Sequence, residues 1–239
     1  MKDSLHIISI PNLLVSLIPV LVVIFILFRW KQGIKTSLWA VGRMVIQLIL
    51  VGYVLTFIFQ SDNSWIVIGV LAVMLFSSSW IALRTLSDRR TELFFKTLAS
   101  VAVGGVSVLI LITQGVLMLD PWYLPQFLIP LAGMIFANSM NSVSLAGERL
   151  TSELSRGEDY TSARNTALRA ALIPITNSLF AVGLVSLPGM MTGQILSGVS
   201  PLIAVRYQIV VMCMAFGSAG ISVAIFLVLA RSNFETDQK

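Results

Sequence analysis

The sequence predicts an all-α, polytopic integral membrane bundle of about seven helices, with the N-terminus outside and the C-terminus inside. Three observations predict it. Of 239 residues, 56% are hydrophobic and 11% are charged, whereas a soluble domain is nearer a quarter charged. The apolar residues fall into seven runs of about 20, the length that crosses a bilayer. The basic residues between those runs collect on one side. This balance excludes an ordinary water-soluble enzyme, because too little polar surface would remain to cover so much apolar side chain. It also excludes a nucleic-acid partner: the net charge of +5 is scattered between apolar runs and forms no patch. A single cysteine, Cys213, rules out an intramolecular disulfide, and a single histidine, His6, rules out a His-based metal centre.

The runs cover residues 13–29, 37–59, 65–84, 93–118, 124–146, 167–196 and 206–230 of one transmembrane domain spanning 1–239. The first is read as a retained helix. It has no basic leader beyond Lys2 and no small-residue cleavage site, and Arg29-Trp30-Lys31 follows it. With the N-terminus outside, only Lys2 and Arg206 of the 16 basic residues face out, which sets the orientation. Trp30 and Trp39 then mark the inner interface, and Trp65, Trp122 and Tyr123 the outer one. The outer connections are short turns, Ser61-Asp62-Asn63-Ser64 and Asp120-Pro121.

In the second run, Arg43 and Gln47 stand four apart and share a helix face. Arg43 either snorkels to the inner interface or pairs inside the bundle. In the fifth run, Gly133, Ala137 and Asn141 make a narrow i, i+4 stripe suited to close approach of a neighbouring helix. Asn138, Asn141, Ser142 and Ser144 add polar groups that need partners where water is absent. Two readings are open: interhelical hydrogen bonds, or a substrate path lined by Asn138 and Asn141.

The sixth run holds Pro174, Asn177 and Ser178, then Pro188-Gly189-Met190-Met191 and Gly193. Pro188 removes a donor and crowds the carbonyl of Leu184, so the helix should kink or break there. A broken helix at membrane depth exposes backbone groups that transporters use for ligands; a plain kink is the alternative. Met190 and Met191, with Met134, Met140, Met212, Met214 and Cys213, either pack irregular gaps or accompany a soft-metal path. The one large polar insertion, 147–165, lies inside. If the fifth helix runs from residue 124 to 155 it is ~48 Å long at 1.5 Å per residue and overruns the ~30 Å hydrocarbon core. Gly157 then breaks it, and Thr161 is the expected cap of a returning helix.

Several of these segments resemble one family. Gly133-Met-Ile-Phe-Ala-Asn-Ser-Met140, Arg169-Ala-Ala-Leu-Ile-Pro174, Val182-Gly-Leu-Val-Ser-Leu-Pro-Gly-Met-Met-Thr-Gly193 and Ala204-Val-Arg-Tyr-Gln208 are similar to segments of FetB-type (YbbM-like) permeases. So are Gly42-Arg43, Gln47-Leu48 and Val51-Gly-Tyr53. The likeness covers residues 38–225. These permeases are transmembrane subunits of iron-export ABC transporters, related to plant aluminium-tolerance subunits. The resemblance implies a homodimeric, multi-pass protein of the bacterial inner membrane, working with a cytosolic ATP-binding cassette subunit.

It implies a metal ion or metal complex as substrate, and ATP used through the partner, with no cofactor on this chain. No Gly-rich loop ending in Gly-Lys-Ser/Thr occurs in the chain. The substrate path would be lined by Asn138, Asn141, Asn177, Pro188, Met190 and Met191. Docking of the ATPase would fall to Glu153, Arg156, Glu158 and Asp159. Arg43, Gln47, Gly133, Pro174, Gly189 and Gly193 would serve as structural or hinge positions. Many relatives carry a longer loop with Leu-Gly-Ala-Thr-Pro, where this chain has Leu154-Ser-Arg-Gly-Glu-Asp-Tyr160.

No catalytic residue is expected, since no nucleophile and base are placed together. The rival functions are a stand-alone secondary transporter and a non-transport scaffold. The first lacks a mid-span acid or lysine to carry a coupling proton.

Overall fold

The computed structural model describes residues 8–60 and 63–235, leaving Lys2, His6, Ser61, Asp62 and Lys239 outside the described residues. Those residues are almost wholly helical and include no strand, only an isolated bridge between Val182 and Ser186. Contacts divide the chain into two units, Met1–Ser61 and Asp62–Lys239.

In the first unit, α1 (Ile10–Val15) starts at Ser9, whose Oγ accepts the Asn12 N–H at 3.4 Å. The first expected helix is interrupted at Ser16 and Leu17, whose N–H groups bond three residues back, to Leu13 and Leu14. Pro19 causes this: it has no N–H to offer Val15 and its ring crowds that carbonyl, so α2 (Ile18–Arg29) restarts there. α3 follows as 26 residues, Ile34–Phe59. On it Gln47 Oε1 accepts from Arg43 Nε (3.0 Å) and Nη2 (3.2 Å), so the two share a face and form a fork.

In the second unit, α4 (Ser64–Ala82) is capped by Asn63, whose Oδ1 accepts the Trp65 N–H at 2.9 Å. Helix continues through a 3₁₀ stretch (Leu83–Arg89), α5 (Arg90–Val101), a π turn (Ala102–Val106), α6 (Ser107–Ile110) and a second π turn (Leu111–Val116). This 53-residue run folds back on itself at Leu86, whose φ of −111° and ψ of 48° leave the helical region. Phe94 then stacks on Phe76 at 6.2 Å and meets Trp80 edge-on at 5.6 Å. Arg90 lies 3.8 Å over the Trp80 ring and donates from Nε and Nη2 to the Trp80 carbonyl. Two helices therefore form where 65–84 and 93–118 were expected.

Burial after the turn recurs in pairs: Ser100 with Val101, Gly104 with Gly105, Val108 with Leu109, and Ile112 with Thr113. The close approaches of this unit lie at glycines of that stripe and of α7 (Pro125–Ser155). A Cβ on Gly104 would meet Ser222 Oγ at 2.4 Å and its backbone N at 2.7 Å. One on Gly105 would meet the Phe136 ring at 3.1 Å, and one on Gly147 would meet Leu86 Cδ1 at 2.6 Å. The expected stripe differs from this. Gly133 meets only the tip of Met74, at 3.3 Å, while Ala137 and Asn141 are exposed.

Helix α7 ends as the sequence predicts, at Gly157 with φ +88°. The Gly157 N–H bonds the Leu154 carbonyl and the Glu158 N–H bonds that of Glu153, a Schellman closure. The returning helix α8 (Tyr160–Ala181) is capped by Asp159 in place of Thr161. Asp159 Oδ2 accepts the N–H groups of Thr161 (3.0 Å) and Ser162 (3.4 Å), which a carboxylate at a helix N-terminus does better than a hydroxyl two residues further in.

A non-helical segment, 182–188, leads to α9 (Gly189–Leu196), then α10 (Pro201–Leu229) and α11 (Arg231–Glu235). The helix breaks as expected, but earlier than Pro188, which instead starts α9. Buried serines join α7 to α10: Ser222 Oγ donates to Ser139 Oγ (3.0 Å) and Ser139 Oγ donates to the Ser218 carbonyl (3.3 Å). Phe95, Phe180, Leu184 and Leu202 meanwhile stand 75%, 78%, 90% and 78% exposed. Small polar groups inside and large apolar ones outside are the arrangement of a polytopic helical membrane protein.

Candidate functional site

The break after α8 opens a cleft of about 470 Å³ within the second unit. Its walls come from α7 (Met134, Asn138), the end of α8 (Asn177, Ser178), the break (Ser186, Pro188) and α10 (Gln208, Met212). Met134 and Asn138 are one turn apart on α7, and the Asn138 Nδ2 donates to the Met134 carbonyl at 2.8 Å. Ser178 Oγ donates to the Pro174 carbonyl at 3.0 Å. Gln208 is 5% exposed, and its Oε1 has no hydrogen-bond partner among the described residues. No charged side chain lines the cleft.

The backbone of the break contributes less than expected. The N–H groups of Leu184, Val185 and Ser186 all donate to the Ala181 carbonyl, at 3.2, 2.8 and 3.2 Å. Gly183, at φ +82°, donates to the Ser186 carbonyl, and Val182 to that of Ser178. These donors are spent inside the turn.

Of the residues expected along a substrate path, Asn138, Asn177 and Pro188 come together here. Met191 lines an adjoining groove of about 370 Å³ with Leu179, Leu187, Cys213, Gln208 and Met212, the last two shared with the cleft. Met190 lines a smaller cleft of about 120 Å³, which shares Met134. Asn141 is exposed and lines none of the three. Among the described residues no three His, Cys, Asp or Glu side chains are grouped to hold a metal ion.

Sequence reasoning missed Gln208, although a signal was present. Ala204, Gln208, Val211 and Ala215 make the buried face of α10 at helical spacing, and Gln208 is the one amide among them.

A second constellation sits at the α7–α8 elbow. Arg156, Glu158 and Asp159 are exposed. Glu153, expected beside them, is 7% exposed and pairs with Arg149 Nη2 (2.5 Å) and Arg156 Nη1 (3.5 Å). It therefore holds the elbow together from within. The elbow is tied to α10 through Tyr160, whose buried hydroxyl donates to the Leu227 carbonyl, with Arg231 lying 5.7 Å over its ring. α11 is clasped from the other side. Arg89 Nη1 donates to the Asn233 carbonyl (3.2 Å) and covers the Phe234 ring at 4.8 Å, while Lys96 Nζ donates to Ser232 Oγ (2.7 Å). Thr85 Oγ1 and Ser144 Oγ, 3.2 Å apart, link the hairpin turn to α7.

Comparison with known proteins gives a consistent picture. The model of a family described as "Uncharacterised protein family (UPF0014)" matches residues 10–234. A UPF0014 membrane protein of Synechocystis is 43% identical over 208 residues, 78% of either chain. The probable iron export permease protein FetB of Escherichia coli is 36% identical over 245 residues, covering 95% of this chain and 93% of its own. The protein ALUMINUM SENSITIVE 3 of Arabidopsis thaliana is 29% identical over 85% of this chain and 80% of its own. No solved structure matches.

Proposed function

The chain belongs to the UPF0014 family, and on that premise we propose that this multi-pass membrane protein is the permease subunit of an ATP-driven metal exporter. Iron is the first candidate cargo, from the name of the Escherichia coli relative. Energy comes from a separate cytosolic ATP-binding subunit that docks on the α7–α8 elbow, and two copies of the permease assemble around the path. The observation that carries this reading is one helix, α8. It begins at the elbow with Tyr160 and ends in the cleft with Asn177 and Ser178. Its 22 residues span ~33 Å at 1.5 Å per residue, about one hydrocarbon thickness.

The mechanism follows from that geometry. α8 is continuous through Pro174, so a push on the elbow is carried along its axis toward its other end, where the helix stops at Ala181 and the tight turn to Ser186 begins. Displacement there moves Asn177 and Ser178 against Asn138 and Gln208, changing the side from which the cleft is open. Tyr160 carries the same push into α10, which bears Gln208.

We further assign seven crossings with the C-terminus inside: α1–α2, α3, α4, the helix after Arg89, α7, the α8–α9 pair and α10. Supporting this, the contacts between Thr85 and Ser144, Tyr160 and Leu227, and Arg89 and Asn233 gather the basic residues of the second unit at one end. Arg206, at the start of α10, lies apart from them.

The test is flux in proteoliposomes with and without the partner ATPase, across Fe²⁺, other divalent metals and organic solutes. ATP-dependent metal efflux is the expected result. Equal flux without the ATPase would identify a secondary transporter.

A further inference from the structure

We propose that α3 carries a binding site for one anionic phospholipid, with Lys35 and Arg43 taking the phosphate and the apolar length of the helix taking the acyl chains. The inference goes beyond the exporter reading and does not depend on the cargo. It needs only that the 26 residues of α3 cross the bilayer.

Charge in the first unit is one-sided. Residues 8–60 hold four basic side chains, Arg29, Lys31, Lys35 and Arg43, and no acid. None of the four makes an ion pair among the described residues. Membrane orientation alone accounts for Arg29, Lys31 and Lys35, which flank the connection between α2 and α3. It does not account for Arg43. That residue is the tenth of α3, ~14 Å from its start at 1.5 Å per residue, against a half-thickness of ~15 Å for the hydrocarbon core. Arg43 is exposed there, and its partner among the described residues is the neutral Gln47, whose Oε1 takes two of the five guanidinium N–H donors. Three donors and a full charge are left in a medium without water. That state is costly unless an acceptor of opposite charge is brought to them.

No carboxylate of this unit's described residues serves, since they include none. A lipid phosphate does, and one face of α3 follows the order of a phospholipid from head to tail. Lys35, Trp39, Arg43 and Gln47 stand one turn apart, and Leu50 and Val54 continue beyond them. At about 100° per residue all six lie within roughly a third of the cylinder, and all are exposed. The face is thus basic and polar near the connection and apolar further along. Trp39, between the two cations, is an indole suited to the headgroup level. A phosphate beside it would be ~6 Å along the axis from the Cα of Lys35 and of Arg43, within reach of both long side chains. Net charge then selects the lipid. A zwitterionic headgroup brings its own cation next to the phosphate, which the two side chains repel; phosphatidylglycerol brings none.

The experiment uses the full chain in nanodiscs of phosphatidylcholine with a minor share of phosphatidylglycerol, released into native mass spectrometry. The unmodified chain should retain phosphatidylglycerol severalfold above its share of the bilayer, a readout that needs no variant to fold. Arg43→Gln and Lys35→Gln should each reduce that enrichment severalfold, and Arg43→Lys should keep most of it. Arg206→Gln, which removes an exposed cation from α10, should leave it unchanged. Retention of the two lipids in their bilayer ratio overturns the inference. So does an equal loss from Arg206→Gln, which would reduce the enrichment to general charge attraction. Disulfide cross-linking between two copies carrying Trp39→Cys on a Cys213→Ser background would also overturn it, by giving this face to a second chain. The flux assay decides the exporter reading separately from all of these outcomes.

Discussion

Gly104 and Ser222 touch backbone to backbone. A methyl on Gly104 would stand 2.4 Å from Ser222 Oγ, 2.7 Å from its N and 2.9 Å from its Cα. Two of those atoms belong to the main chain of α10 and cannot swing aside, so the π turn and α10 pack too closely for any side chain at Gly104.

Gly104→Ala should therefore destabilise by about 1–3 kcal/mol or more, as overpacking does, and Gly104→Val should be worse. Gly133→Ala, which meets only the flexible tip of Met74 at 3.3 Å, should be tolerated. Thermal unfolding in detergent, followed by tryptophan fluorescence, checks the order. Equal effects of Gly104→Ala and Gly133→Ala would refute it.

Removing one oxygen at Tyr160 tests the link between elbow and α10. Tyr160→Phe keeps the buried ring and loses the hydrogen bond to the Leu227 carbonyl, a loss of about 1 kcal/mol with the carbonyl left unpaired. Stability should fall by that amount. ATP-driven flux should fall severalfold while the ATPase still co-purifies, because the docking face is intact. Unchanged flux would show that the push does not pass through Tyr160.

At the elbow, deletion of residues 156–159 should abolish ATPase co-purification while the permease stays in the membrane. That deletion also removes the Gly157 closure and the Asp159 cap. The single reversal Glu158→Arg spares both, leaves the Glu153–Arg156 pair in place and is the cleaner probe. It should reduce co-purification, with melting within a few degrees of wild type. Retained co-purification in both variants would rule out the elbow as the dock.

Gly183 tests the turn at the end of α8. Its φ is +82°, and a Cβ there would meet nothing within 4 Å, so any cost of substitution is conformational. Gly183→Val should lose roughly 1–2 kcal/mol and slow transport. Gly183→Asn, which enters the left-handed region more readily, should retain most of both. Tm and flux measured on the two variants decide the matter; equal loss would indicate a packing role.

The helices were legible because apolar runs, Gly157 and Pro188 act locally, through backbone terms that need no partner. The overrun of α7 was readable from the same runs. Pro19 interrupts the first helix by the same local rule, at a position where apolarity alone reads as continuous. What the sequence did not disclose is tertiary. Gly104 and Gly105 match Gly133 in residue type, and only the path of α10 and α7 decides which glycines are approached. Asn138 and Asn177 were readable as polar groups in apolar runs. Gln208 carries the same signal, but its importance depends on what its amide finds around it, and Oε1 finds no hydrogen-bond partner among the described residues. Glu153 is more buried than a charge in a polar stretch suggests, because Arg149 and Arg156 pair with it.

The paired burial along Ser100–Val101, Gly104–Gly105, Val108–Leu109 and Ile112–Thr113 repeats every four residues. On an ordinary α-helix a repeat of four drifts by about 40° each time, so the last pair would stand about 120° around the cylinder from the first. The two π turns absorb that drift by holding more residues per turn. The buried seam consequently runs straight along the cylinder instead of winding around it. Helices joined along a winding seam behave like a screw, where advance requires rotation. A straight seam lets the helix keep the same face toward its neighbours along its whole length.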